Sequence, residues 1–215
     1  MKKQIIIIIT LFVALVAQGQ NEHFKFMGIP IDGKISSFDK ELQLQKKGFK
    51  LDDIMGKSLE DAYIYNGIFA GENAQIYVNY DVKSKIVYQA VVIIKRSTKE
   101  SVTRLYQDIR DMLEEKYSQD EGVRFIEDQN EKYGEEMKKN GIDLFQWKHI
   151  AEKDGYETTS FFIPNVKSRD LLGLIEVFGG DMLSNVTYTT DYLLFIKYID
   201  WQNSNSQRDN RMDDL

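Results

Sequence analysis

Three strand-like runs tied by short polar turns constrain this chain more than any other feature. "AYIYNGIF" (Ala62 to Phe69), "QIYVNYD" (Gln75 to Asp81) and "IVYQAVVIIK" (Ile86 to Lys95) are rich in aromatic and branched residues, which fit a pleated surface. Short polar turns such as "AGEN" and "VKSK" link them. A parallel crossover needs a dozen or more residues, so these links favour antiparallel hairpins. In the middle run Ile76, Val78 and Tyr80 alternate with Gln75, Tyr77 and Asn79, the pattern of a sheet with one dry face and one available face. The third run is the most apolar and is expected at the centre of the sheet. A weaker strand is expected at Phe49 to Ile54.

Helical signals flank this block. From Lys34 to Lys47, Ile35, Phe38 and Leu42 fall on one stripe, and Gly48 follows as a left-handed stop with Phe49 behind it to pack on the last turn. Upstream, Gly28-Ile29-Pro30 and Asp32-Gly33 read as turns into that helix. They lack the Lys-Ser/Thr or G-x-G-x-x-G pattern that a phosphate cradle needs. Ser97 with Glu100 forms a capping box. It opens a longer helix on which Val102, Leu105, Ile109, Met112, Leu113 and Tyr117 share one side. Asp120 to Gly141 is charged and reads either as a short helix or as a long surface loop. Strand signals return at Leu144 to Ile150, Glu157 to Ile163, Leu171 to Phe178 and Val186 to Ile199, the last bending or breaking near Asp191.

The order is helix, four strands, one or two helices, four strands. Helices segregated from antiparallel strands predict an α+β fold. The expected form is two helix-plus-four-strand halves, 26–96 and 97–201, in a single domain spanning 20–201, with the helices packed on one face of a mostly antiparallel sheet. Residues 202–215, "QNSNSQRDNRMDDL", lack apolar anchors and are expected to be a disordered tail.

At the other end, Lys2 and Lys3 precede an apolar run from Ile5 to Ala17, and Ala17-Gln18-Gly19 supplies small residues at a peptidase site. Residues 1–19 therefore read as a signal peptide, the run being shorter than the roughly 20 residues of a bilayer span. Export to the periplasm or beyond is expected, with no membrane span after leader cleavage. The chain has no cysteine, so neither lipidation at a cleavage-site cysteine nor disulfides are available, and stability rests on the core. The formal charge is −6, with Lys and Arg interleaved among acids. This argues against nucleic acid as a partner.

Chemistry-bearing motifs are sparse. Nucleophilic catalysis would have to use His23 or His149, the two histidines of the chain. His23 lies in an N-terminal stretch expected to be mobile, and His149 shares a strand face with Phe145 and Trp147. No G-x-S-x-G elbow, H-E-x-x-H helix, P-loop or D-x-D-x-D-G loop occurs. No catalytic residue, metal ligand or cofactor is therefore expected. A hydrolase directed at an envelope polymer or polysaccharide would need paired carboxylates, for which Asp81, Glu176 and Asp200 are the candidates. The adjacent Asp52-Asp53 would point to opposite faces if extended.

In outline, "GIPIDGKISSFDKELQLQKKGF", "NGIFAG", the long helix ending "EEKYS" and "LLFIKYIDWQNSN" resemble small exported proteins of Bacteroides-type bacteria. The doubled helix-plus-four-strand layout is similar to the β-lactamase-inhibitor-protein fold and to the outer-membrane assembly modules built on half of it. The first resemblance implies export and layout and assigns no activity; the second, one of layout alone, implies a protein-binding role. The aromatic strands fit the same role. Tyr63, Tyr65 and Phe69 share a face that is either core or contact surface. Gln75, Tyr77 and Asn79 form the expected binding surface for another envelope or extracellular protein, since tyrosine and amides make adaptable contacts.

Overall fold

The computed structural model describes residues 23–44, 48–118, 156, 158–164, 171–183 and 190–212. The expected leader, the segment 120–141, the strand at Leu144 to Ile150 and His149 lie outside the described residues. Within them the chain is α+β, and every strand pair is antiparallel.

A two-stranded hairpin, β1 (Lys25–Phe26) and β2 (Ile29–Pro30), comes first, followed by helix α1 (Ile35–Leu44). Strands β3 (Lys50–Leu51), β4 (Ala62–Phe69), β5 (Glu72–Tyr80) and β6 (Val87–Arg96) then lead into α2 (Lys99–Ser118). Beyond it lie β7 (Thr158–Pro164), β8 (Leu171–Leu183), β9 (Thr190–Asp200) and α3 (Trp201–Met212). Strands β3 to β9 form one sheet in the order β3-β4-β5-β6-β9-β8-β7. The apolar run β6 is thus the central strand, as its composition predicts, and it pairs with β9 from Gln89↔Ile199 to Arg96↔Tyr192.

The two faces of the sheet differ in cover. On β5, Ala74, Ile76, Val78 and Tyr80 are buried, while Gln75, Tyr77 and Asn79 between them are half-buried. The buried set faces α1 and α2. Ile35, Phe38 and Leu42 of α1 are core residues, and so are Val102, Leu105, Tyr106, Ile109, Leu113 and Tyr117 of α2. Two hydroxyls fix this side: Tyr65 on β4 donates to Asp39 Oδ1 of α1 at 2.8 Å, and Tyr106 of α2 meets Thr159 of β7. The β1–β2 hairpin adds Phe26 and Ile29, with the Phe26 ring edge-on to Tyr198 at 5.0 Å. Its turn has Met27 and Gly28 at φ 53° and 88°, the left-handed pair that a two-residue hairpin demands.

Several local expectations shift. The cap of α2 is Thr98, not Ser97: Thr98 Oγ1 accepts from Ser101 N at 3.2 Å, so Ser101 takes the place expected for Glu100. Met112 is exposed, and Tyr106 occupies the buried stripe instead. Gly48 is left-handed at φ 71°, as a helix stop requires, and the Phe49 ring lies directly over Gly67, where a Cβ would collide with it. The strand expected at Phe49 to Ile54 shortens to Lys50–Leu51, because Asp52 turns the chain by accepting from Ile54 N and Met55 N at 2.9 and 2.7 Å.

The largest correction concerns the C-terminal tail. Residues 202–212, expected to be disordered, belong to helix α3. Asp200 is its N-cap, accepting from Asn203 N at 2.9 Å in the geometry that satisfies an orphan donor of the first turn. Asn203 Nδ2 donates to Ile31 O and Val87 O at 2.7 and 3.2 Å. Polar bonds, not an apolar stripe, tie this helix to the sheet, so a search for apolar periodicity misses it.

Candidate functional site

The face of the sheet opposite α1 and α2 carries the residues expected to bind. Pleating places i and i+2 on one side, and the register extends that side across strands. Tyr77 lies between Ile64 of β4 and Val91 of β6; Gln75 lies between Asn66 and Ile93; Asn79 lies between Ala62 and Gln89. Continuing through β9 and β8, Val91 leads to Lys197 and Glu176, and Ile93 leads to Phe195 and Phe178.

Gln75, Tyr77 and Asn79 therefore share one face, each half-buried. The Tyr77 hydroxyl donates to Gln75 Oε1 at 3.0 Å, which fixes both side chains relative to one another. Gln75 and Tyr77 line a groove of about 860 Å³, together with Ile93, Leu193, Phe195 and Met182. Asn79 lies on the same face outside that groove. Asn66, Asn73 and the Lys95–Asp191 ion pair, at 2.6 Å, supply polar groups to the groove.

Sequence reasoning missed the β9 contribution, and the reason is physical. "YLLFIKYI" is apolar on both faces: Leu194, Ile196 and Tyr198 are buried under the helices, whereas Phe195 and Lys197 stand half-buried on the other side. A continuous apolar run hides its own alternation. Pairing with β6 is what separates the two sets. At the middle of this face, Phe178 and Phe195 stack at 4.8 Å and 9°, and Lys197 Nζ sits 4.8 Å from the Phe178 ring and 3.3 Å from Glu176.

Tyr63, Tyr65 and Phe69 resolve to the core side. Tyr65 is fully buried, and burial, followed by its bond to Asp39, pushes its phenol well above the ordinary range. Tyr63 meets Tyr80 edge-on at 5.6 Å.

The three candidate acids do not converge. Asp81 closes the β5–β6 turn, accepting from Ser84 N at 2.6 Å, and that bond leads the lowering of its carboxyl below the usual value. Glu176 is buried and sits opposite Lys197 on the face away from α1 and α2. Asp200 is three residues beyond Lys197, an odd spacing that directs it to the opposite face. There it is almost wholly buried, and its Oδ2 accepts from Phe24 N at 2.9 Å and meets His23 Nδ1 at 3.1 Å. His23, expected in a mobile stretch, is thus pinned to the sheet. Asp52 and Asp53 separate as well: Asp52 turns inward on the loop backbone, and Asp53 lines the groove.

Among the described residues, no three His, Asp or Glu side chains are grouped to hold a metal ion, and no helix is long and apolar enough to cross a membrane. No family model, curated protein or solved structure matches the chain.

Proposed function

We propose that this chain is an exported, non-enzymatic binding module that engages another envelope or extracellular protein through the open face of its sheet. One observation carries the reading. Tyr77 and Gln75, locked to each other, border a groove floored by Ile93 and Phe195 on a face away from both amphipathic helices. Aromatic and aliphatic surface ringed by amides is the composition of a protein contact site, and side chains already held by neighbours lose little entropy on binding. Asn79 extends the same face beyond the groove. Export is part of the proposal, with the leader removed after Gly19, and rests on the Ala17-x-Gly19 signature.

The two-halves reading also belongs here. Strand order supports it: β6 and β9, each the last strand of its half, meet at the centre, and α1 and α2 each precede their own strands. The carboxylate-hydrolase alternative draws no support from Glu176 and Asp200, which lie on opposite faces. The test is affinity capture from the native cell envelope with the wild-type chain and with Tyr77→Ala. The variant should keep its thermal stability and lose most of the captured partner. Equal capture by both chains refutes the assignment of this surface.

A further inference from the structure

The groove beside Tyr77 runs across the strands, not along one of them. Asn66, Gln75, Ile93 and Phe195 line it as successive partners on β4, β5, β6 and β9. Ile68 of β4 and Met182 of β8 mark its two ends, 49% and 57% exposed. Even spacing from Asn66 and from Phe178 puts both on the open side. The apolar part of the floor, Ile93, Leu193 and Phe195, comes from the two middle strands, β6 and β9.

This floor offers a bound segment side chains and no backbone. Strands β5, β6 and β9, which carry the middle of the groove, are each hydrogen-bonded to a neighbour on both sides, so their amides and carbonyls are taken. Two of the amide side chains are engaged as well. Asn66 Nδ2 donates to Asp52 Oδ2 at 2.6 Å, and Gln75 Oε1 accepts from the Tyr77 hydroxyl at 3.0 Å. A segment crossing here in extended form would lay its own peptide groups on apolar surface with few partners, which is costly. A helix closes those bonds within itself. Charge points the same way. Lys95 is paired with Asp191 at 2.6 Å, and Lys50 stands with Asp53 at the β3 end. The lining therefore carries no net charge, and its complement is an uncharged apolar stripe, not an acidic or basic tail.

We infer that the partner enters this groove as an amphipathic α-helix lying across β4 to β8, its apolar stripe on Ile93, Leu193 and Phe195. The inference rests on the open-face reading and names what that face holds. Helices seated in grooves present anchors at i, i+3, i+4 and i+7. The length required follows from the sheet. Ile68 and Met182 are four strand steps apart, about 19 Å at roughly 4.8 Å each. A helix covers that span with about 13 residues, an extended segment with about 6.

The test is photo-cross-linking in the native cell envelope. A benzoylphenylalanine replaces Ile68 in one variant and Met182 in a second, with folding of both checked by circular dichroism. Mass spectrometry then locates the linked residues in the captured protein. Both positions should link to one segment of one protein, at sites about 10–16 residues apart. Any other spacing, the roughly 6 residues of an extended segment included, or links to separate segments, overturns the helix and leaves the open-face reading standing. A missing cross-link at either position overturns it too. If Tyr77→Ala also leaves capture unchanged, the open-face reading falls with it.

Discussion

Replacing Asp200 with alanine removes a carboxylate that joins three parts of the fold. Asp200 is 1% exposed. One oxygen accepts from Asn203 N at 2.9 Å and caps α3; the other accepts from Phe24 N at 2.9 Å and meets His23 Nδ1 at 3.1 Å. Alanine supplies no acceptor, so the Phe24 amide is left without a partner in a buried setting. An unmet buried donor costs about 1–3 kcal/mol, and loss of a helix cap costs about 0.5–2 kcal/mol. With the His23 contact added and overlap between these effects allowed for, the loss should be about 2–5 kcal/mol, and the melting temperature should fall by roughly 4–20 °C for a chain of this size. Asp200→Asn keeps one acceptor oxygen and should fall between the two. Asp191→Asn, which breaks the exposed pair with Lys95, should change stability by about 0–1 kcal/mol. Urea unfolding of the three variants beside the wild type measures all of this. A loss below about 1 kcal/mol for Asp200→Ala would show that the N-terminal strand and α3 are not held through this carboxylate.

Two further outcomes test the covered face. Leu105→Ala should destabilise the chain by about 2–5 kcal/mol, because Leu105 is buried between α2 and the sheet; a loss under about half a kcal/mol in urea unfolding contradicts that packing. Burial raises the phenols of Tyr65 and Tyr198 above the ordinary 10.0. The unfolded chain gives up these protons first, so their contribution to stability is complete below pH 10 and falls as pH rises further. In alkaline absorbance titrations, Tyr65→Phe and Tyr198→Phe should each remove only phenolate absorbance that appears together with unfolding, and loss of absorbance from the step near pH 10 in the folded chain would refute it.

The parts of this fold legible in the sequence are those written in side-chain period and turn chemistry. Alternation fixed which residues of β5 face the helices, and spacing fixed most of the buried stripe of α2. The polar devices were harder to read. Asp200, a strand-end acid inspected as a catalytic candidate, is a cap and an anchor, and its partners lie 176 positions away at Phe24 and three at Asn203. The helix it caps has no apolar stripe to announce it. The candidate site was half legible for a related reason. Gln75 and Tyr77 stand out against an alternating strand, whereas Ile93 and Phe195 belong to runs that are apolar on both sides. Only the β5–β6–β9 register assigns them to the open face.

The central claim is that the Tyr77 face is open in the free chain and closes on a partner. Nitration footprinting by mass spectrometry reads this at single tyrosines. In the free chain Tyr77 should be modified while Tyr65 and Tyr198, buried under the helices, stay protected. In complex with the captured partner Tyr77 should become protected too. A Tyr77 that resists modification in the free chain, or that reacts equally in the complex, contradicts the account.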